Sequence, residues 1–192
     1  MPRRERRLAD IVRAAEGILR RRGIDHVFVG AISVIVFGEP RTTRDVDVVA
    51  RLTTETVEGL AADFRRAGFL ASEEDLRDAM REGGHSSLED TRSPLRIDLL
   101  VASTPADDHA LRHRLFVRWA GLEFPVASPE HTVVMKIRFG SPQDLEDAFS
   151  ILTERWEKLD VSEMEAFARQ QGVLERLRAL TKKAAPGGRP VE

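Results

Sequence analysis

Three aspartates stand where strands seldom carry a charge. Asp45 and Asp47 alternate with valines in "RDVDVVA", and Asp98 lies between Ile97 and Leu99 in "LRIDLLVAS". In an extended strand, residues two apart share a face, so Asp45 and Asp47 project together while Val46 and Val48 turn to the packed side. Two unit charges about 4 Å apart repel by roughly 4 kcal/mol at an effective dielectric of about 20, so such a pair calls for a proton, an arginine or a metal ion. If the strands of Asp45 and Asp98 are neighbours, three carboxylates meet at one sheet end. An all-oxygen donor set suits Mg²⁺ or Mn²⁺, and suits two such ions clamping a phosphoryl transfer. Each aspartate alone reads more simply, with Asp45 paired to Arg41 or Arg44, Asp47 an edge-strand charge and Asp98 paired to Arg96. The three together favour the metal-binding reading.

The elements that must carry these residues follow from hydrophobic period. Leu8, Ile11, Val12, Ala15, Ile18 and Leu19 recur every three or four residues, the pattern of an amphipathic helix that Gly23 ends. "HVFVG" reads as a short buried strand, Ala31 to Phe37 as a short helix between Gly30 and Gly38, and "RDVDVVARL" as a strand. Thr53 or Thr54 then caps one helix carrying Val57, Leu60, Ala61 and Phe64 inward to Gly68. "SEEDLRDAMREGG" is a charged helix. Two strands follow around a turn at Arg92 to Pro94, the second spanning Leu95 to Val101. A helix from Thr104 to Leu115 precedes a hairpin turning at Gly121. Ser128 with Pro129, and later Pro142, open helices in a C-terminal third that is helical throughout.

The fold class expected is therefore α/β (α+β), a small mixed sheet flanked by helices with a helical C-terminal region. Residues 1–127 form the core with its basic first helix, 128–181 a helical region packed on it, and 182–192 a Pro/Gly-rich disordered tail.

With those residues placed, the chain resembles the polymerase-β-like nucleotidyltransferases. Their pattern is a hydrophobic residue and a Gly-Gly or Gly-Ser pair, then a gap, Asp-x-Asp between hydrophobic residues, and a later aspartate in a hydrophobic strand. Here "VGA" at Val29 to Ala31, "DVDV" and "IDL" at Ile97 to Leu99 follow that order. More narrowly it is similar to small bacterial AbiEii-like proteins, through "GEPRTTRDVD" and the downstream "SPEHTVVMKIRFGSPQDLEDAF". The resemblance spans about Val27 to Leu152. It implies a nucleotidyltransferase fold that moves NMP from an NTP to a hydroxyl, such as a tRNA 3′ end or a protein side chain, within a toxin–antitoxin or abortive-infection system.

The same resemblance implies that Asp45, Asp47 and Asp98 are the catalytic metal ligands for Mg²⁺ or Mn²⁺, Asp98 also helping to activate the hydroxyl. Gly30, Ala31, Ser33, Arg41, Thr43 and Lys136 would bind the nucleotide, Gly30 and Ala31 through their backbone NH groups. Lys136 reads equally as a lysine snorkelling from an apolar face. Asp144 and Asp147 read as ion-pair partners ordering the C-terminal helices. Ala31 and Ser33 stand where the family more often has a second glycine and an alanine. An alternative rests on Ala31: a catalytically weak module that senses nucleotide or binds a protein partner. A metal-dependent nuclease would share the carboxylates but leave the "GA" turn unexplained.

Bulk composition excludes several classes. The 192 residues, 42% hydrophobic and 32% charged, suit one medium-sized domain or a domain with a helical appendage. No cysteine is present, which excludes disulfides, thiolate metal sites and a cysteine nucleophile. The first residues lack the apolar run of a secretory signal and no segment approaches a membrane span, so a cytoplasmic chain without membrane partners is expected. Net charge is −2, yet residues 1–22 hold eight arginines against Glu5, Asp10 and Glu16. That run reads first as a solvated helix face, second as a phosphate-tracking patch for RNA. The five histidines show no zinc spacing and read as surface residues.

Overall fold

The alternation in "DVDVVA" becomes a strand because its valines can be buried on one face while its aspartates stay on the other. A computed structural model describes residues 5–185. In chain order its elements are α1 (Leu8–Arg21), β1 (His26–Phe28), α2 (Ala31–Phe37), β2 (Asp45–Ala50), α3 (Thr54–Val57), α4 (Leu60–Arg66), β3 (Phe69–Leu70) and α5 (Glu73–Glu82). There follow β4 (His85–Asp90), β5 (Arg96–Val101), α6 (Pro105–Arg112), β6 (Leu115–Trp119), β7 (Leu122–Val126), α7 (Pro129–Phe139), α8 (Pro142–Arg155), α9 (Val161–Gln170) and α10 (Leu174–Ala184). None of these helices is long and apolar enough to cross a membrane.

The chain divides into two units, one made of the residues up to Ala31 with Thr42–Val126, the other of Ile32–Arg41 with the residues from Ala127 on. The first holds a seven-stranded mixed sheet in the order β3-β4-β5-β2-β1-β7-β6. β2 pairs in parallel with β5 and antiparallel with β1, which puts it at the sheet's centre. Val46, Val48, Ile97, Leu99 and Leu88 share one face and are fully buried. α1 packs on β2 and β5, α5 on β4 and β5, and α6 on β1 and β2.

Helix starts follow local chemistry. Thr104, Ser128 and Ser141 each cap a helix whose first residue is proline, the side-chain oxygen accepting an orphan backbone NH. Several expectations are corrected here. The single helix expected after Thr53 is two, α3 and α4, because Gly59 between them takes φ +71°. The helix after Thr104 ends at Arg112 rather than Leu115, which starts β6. The short edge strand β3 was not anticipated. Lys182 and Lys183 continue α10 to Ala184, Ala185 follows as its C-cap, and residues 186–192 lie outside the described residues.

Histidine burial is the largest correction. His26, His109 and His131 are buried, and only His85 and His113 lie at the surface. His26 is covered because α1 turns Glu16 inward to meet it. Nε2 of His26 lies 2.7 Å from Glu16 Oε2, and Nδ1 lies 2.8 Å from the Ile24 carbonyl oxygen. A buried carboxylate on α1 is tolerated because this imidazole and Arg20 answer it.

The second unit gathers the end of α2 with α7, α8, α9 and α10 around Val133, Val134, Ile137, Ile151, Leu152 and Phe167. Its α2 segment is tied down by Ser33 Oγ donating to the Ala127 carbonyl at 2.8 Å, and by Arg155 donating to the carbonyls of Val36 and Phe37 at 3.2 and 3.1 Å.

Candidate active site

Strand register decides which carboxylates meet. In the β2–β5 ladder Asp47 stands opposite Asp98 and Asp45 opposite Arg96, while β4 puts Ser87 opposite Asp98. Paired residues share a face, so these five side chains form one polar patch in the first unit, backed by the valines and leucines of the opposite face. Asp47 lies on a central strand, not on an edge.

Arg96 is a compensating cation for Asp45 and Asp98. Its Nε lies 3.0 Å from Asp45 Oδ1 and 3.2 Å from Asp98 Oδ2, bridging two strands with one N–H. Arg96 is held above its already high ordinary pKa, first by the hydrogen bond to Asp98, then by the charges of Asp98, Asp45 and, more weakly, Asp47. Asp98 is the most enclosed of the three partners in this bridge, and Ser87 Oγ donates to its other oxygen at 2.5 Å.

Gly30 completes the patch from β1. The Val29 amide donates to the Asp47 carbonyl at 3.0 Å, extending the β1–β2 ladder to the edge of the site. Gly30 then takes φ +60°, and a β-carbon there would overlap the Asp47 carboxylate. A glycine is required for both reasons. Ala31, the first residue of α2, has no positive φ and is only 6% exposed, so its methyl is packed away and costs no backbone strain.

Thr43 fixes the entry to β2, its Oγ1 lying 3.2 Å from both the amide and the carbonyl oxygen of Asp45. The remaining sequence-derived candidates belong to the second unit. Arg41 forks onto Asp147, Nε to Oδ1 at 2.8 Å and Nη2 to Oδ2 at 2.9 Å. Lys136 Nζ reaches Asp144 Oδ1 at 2.8 Å and Asp147 Oδ2 at 2.9 Å. Burial, the largest influence on Asp147, pushes its pKa up, but hydrogen bonds from Arg41 and Lys136 and their charges outweigh it and the net is lowered. Ser33 is fully buried, bonded to Ala127 and accepting from Thr132 Oγ1 at 2.9 Å.

The pairing of Asp98 with Arg96 is present as the simpler reading has it, and Arg96 also takes Asp45, for which that reading offers Arg41 or Arg44. Its position two residues before Asp98 puts it on the same face. Ser87 carried no signal without the β4–β5 register.

Four arginines of α1 and its flanks are engaged within the first unit, while Arg7 and Arg21 are exposed. Arg6 holds Asp90 and the Ala67 carbonyl, Arg13 the Ala120 carbonyl, Arg20 Glu16 and the Glu123 carbonyl, and Arg22 Asp63 and the Glu58 carbonyl. Arg3 and Arg4 lie outside the described residues.

No family model and no curated protein matches the chain. Solved structures do. An antigenic nucleotidyltransferase-like protein from Paracoccidioides brasiliensis aligns at 19% identity over 91% of this chain and 90% of its own, with a TM-score of 0.52. The antibiotic-resistance factor ANT(2'')-Ia aligns at 12% identity over 88% and 95%, with a TM-score of 0.55. ANT(2'')-Ia in complex with adenylyl-2''-tobramycin aligns at 11% identity over 85% and 97%, again at 0.55. The mixed sheet flanked by helices is thus a nucleotidyltransferase fold.

Proposed function

We propose that the chain is a divalent-metal-dependent nucleotidyltransferase that moves NMP from an NTP to a hydroxyl acceptor and releases pyrophosphate. The observation that carries this reading is the β2–β5 register, which sets Asp45, Asp47 and Asp98 on one face beside the Gly30 turn. The donor set fits Mg²⁺ or Mn²⁺, being all carboxylate oxygen, and the absence of a β-carbon at Gly30 leaves the room that the Asp47 carboxylate occupies. Asp45, Asp47 and Asp98 would hold the metal, which when bound neutralises the phosphate charge and lowers the barrier to displacement.

In the transfer, the acceptor oxygen forms a bond to the α-phosphorus, the bond to the bridging oxygen of the β-phosphate breaks, and pyrophosphate carries away the electron pair. Asp98, held by Ser87, accepts the hydroxyl proton. The backbone NH groups of Gly30 and Ala31 meet the triphosphate. To Ser33, Arg41 and Lys136 we assign the bracing of α2, α7 and α8 in their own unit. Thr43 we assign to aligning Asp45.

The "GEPRTTRDVD" and "SPEHTVVMK" blocks support placement among the AbiEii-like proteins and hence a toxin–antitoxin setting. For the acceptor, engagement of Arg6, Arg13, Arg20 and Arg22 within the first unit counts against an RNA-tracking patch built on them. A protein side chain or a small hydroxylated molecule, the class of the adenylylated tobramycin in the ANT(2'')-Ia complex, suits the patch better. The packed Ala31 methyl counts against the catalytically weak alternative.

The test is incubation with each α-³²P-labelled NTP and Mg²⁺, following label into total tRNA, protein and a panel of aminoglycosides, for the wild type and Asp45→Ala/Asp47→Ala. Label from the wild type alone supports the transferase and identifies the acceptor class. Nucleotide binding without label in any fraction would overturn it in favour of a sensing module.

A further inference from the structure

The Arg96 guanidinium occupies two carboxylate oxygens that a metal ion would need, one on Asp45 and one on Asp98. Arg96 Nε bridges Asp45 Oδ1 and Asp98 Oδ2, and Ser87 holds the other oxygen of Asp98. With both donors in place each Asp98 oxygen already accepts a hydrogen bond, which competes with ligating a cation and accepting a proton there. Ser87 is neutral and offers no charge conflict. Arg96 carries a full positive charge close to any ion seated between the same carboxylates, so the two repel strongly. Its side chain is also 47% exposed, so the guanidinium has solvent into which to turn.

We propose that Arg96 is a surrogate cation: it holds Asp45 and Asp98 together in the metal-free protein and yields them to the divalent ion that arrives with the triphosphate. Arg96 is therefore a positioning residue. It spares the fold the repulsion among three carboxylates and keeps them aligned for exchange, and it disfavours metal binding without nucleotide. The released guanidinium lies beside the incoming phosphates, whose oxygens suit its planar fork. This rests on the nucleotidyltransferase reading.

The test measures Mn²⁺ binding by the loss of the free-ion EPR signal, with and without α,β-methylene-ATP, for the wild type, Arg96→Gln, Arg96→Lys and Asp98→Asn. Arg96→Gln is expected to bind Mn²⁺ at least about tenfold more tightly than wild type without nucleotide. Arg96→Lys, which keeps the charge, is expected to stay within about threefold, and the analogue to narrow the gap. Should Arg96→Gln not fold, the wild type answers alone, since NMR of the Arg96 Nε–H should show protection from exchange that is lost on adding Mg²⁺ and the analogue. Equal or weaker Mn²⁺ affinity in Arg96→Gln, or unchanged Nε–H protection, overturns the role of Arg96 while leaving the transferase reading intact. No Mn²⁺ binding by any variant, with or without the analogue, overturns both.

Discussion

Gly30 and Asp47 stand so close that a β-carbon on the first would overlap the carboxylate of the second. The chain meets this twice over, with a residue that has no β-carbon and a φ of +60° that such a residue alone adopts freely. Gly30→Ala is therefore expected to turn Asp47 out of the patch and to lower stability by about 1–2 kcal/mol. Urea denaturation should show a folded protein with a modestly lower midpoint. Label transfer should fall as far as in Asp47→Asn.

Asp147 gives a pH dependence of defined sign. Its folded pKa is lowered by Arg41 and Lys136 against burial, so the folded state binds its proton less readily than the unfolded chain does. The stabilisation is fully present above the ordinary aspartate value of about 3.9 and is lost as pH falls below it. Asp147→Asn should flatten that part of the acid limb of a stability profile. At neutral pH it should cost about 2–3 kcal/mol, because Arg41 and Lys136 lose a partner whose side chain is 2% exposed. A profile for the variant as steep as wild type below about pH 4 would assign the acid limb to other groups.

Much of this was readable from the chain. Alternation in "DVDVV" and "RIDLL" placed β2 and β5 because each face has one chemical character. The starts of α6, α7 and α8 were readable because Thr-Pro and Ser-Pro pairs act within one turn. Long-range partnerships were not. Arg41 and Asp147 are 106 positions apart, and nothing local to either names the other. For Arg41 and Lys136 alike, a cation's sequence neighbourhood does not reveal which carboxylate will face it. Buried His26 eluded a reading by composition for the same reason, its partner Glu16 lying on another element.

Ser87 is expected to matter through Asp98 alone. Removing its hydroxyl in Ser87→Ala should lower turnover about tenfold with KM for the NTP little changed, since one donor to a carboxylate is lost and no nucleotide contact is. Ser87→Thr should restore most of the rate. An unchanged turnover in Ser87→Ala would leave Asp98 held sufficiently by its strand.

Gly38 performs a packing task within the second unit. A β-carbon there would overlap Ser150 Oγ and lie 3.0 Å from Ile151 Cγ1 and 3.2 Å from the Ile151 amide nitrogen. Gly38→Ala should cost about 1–3 kcal/mol, as overpacking does. Adding Ser150→Ala should return only part of that, because the Ile151 backbone cannot retreat. A double-mutant cycle by chemical denaturation measures the coupling, and full recovery would locate the whole conflict at the serine hydroxyl.

The parallel pairing of β2 with β5 also sets an order of events during synthesis. Asp45 and Asp47 leave the ribosome roughly fifty residues before Asp98 and Arg96, so the third carboxylate and the Arg96 bridge from Asp45 are absent until β5 emerges and docks. β1 takes its place between β2 and β7 only after Val126 has been made. The patch is thus a late product of folding, and a nascent chain short of β5 carries two of its three carboxylates rather than an early, partly competent site.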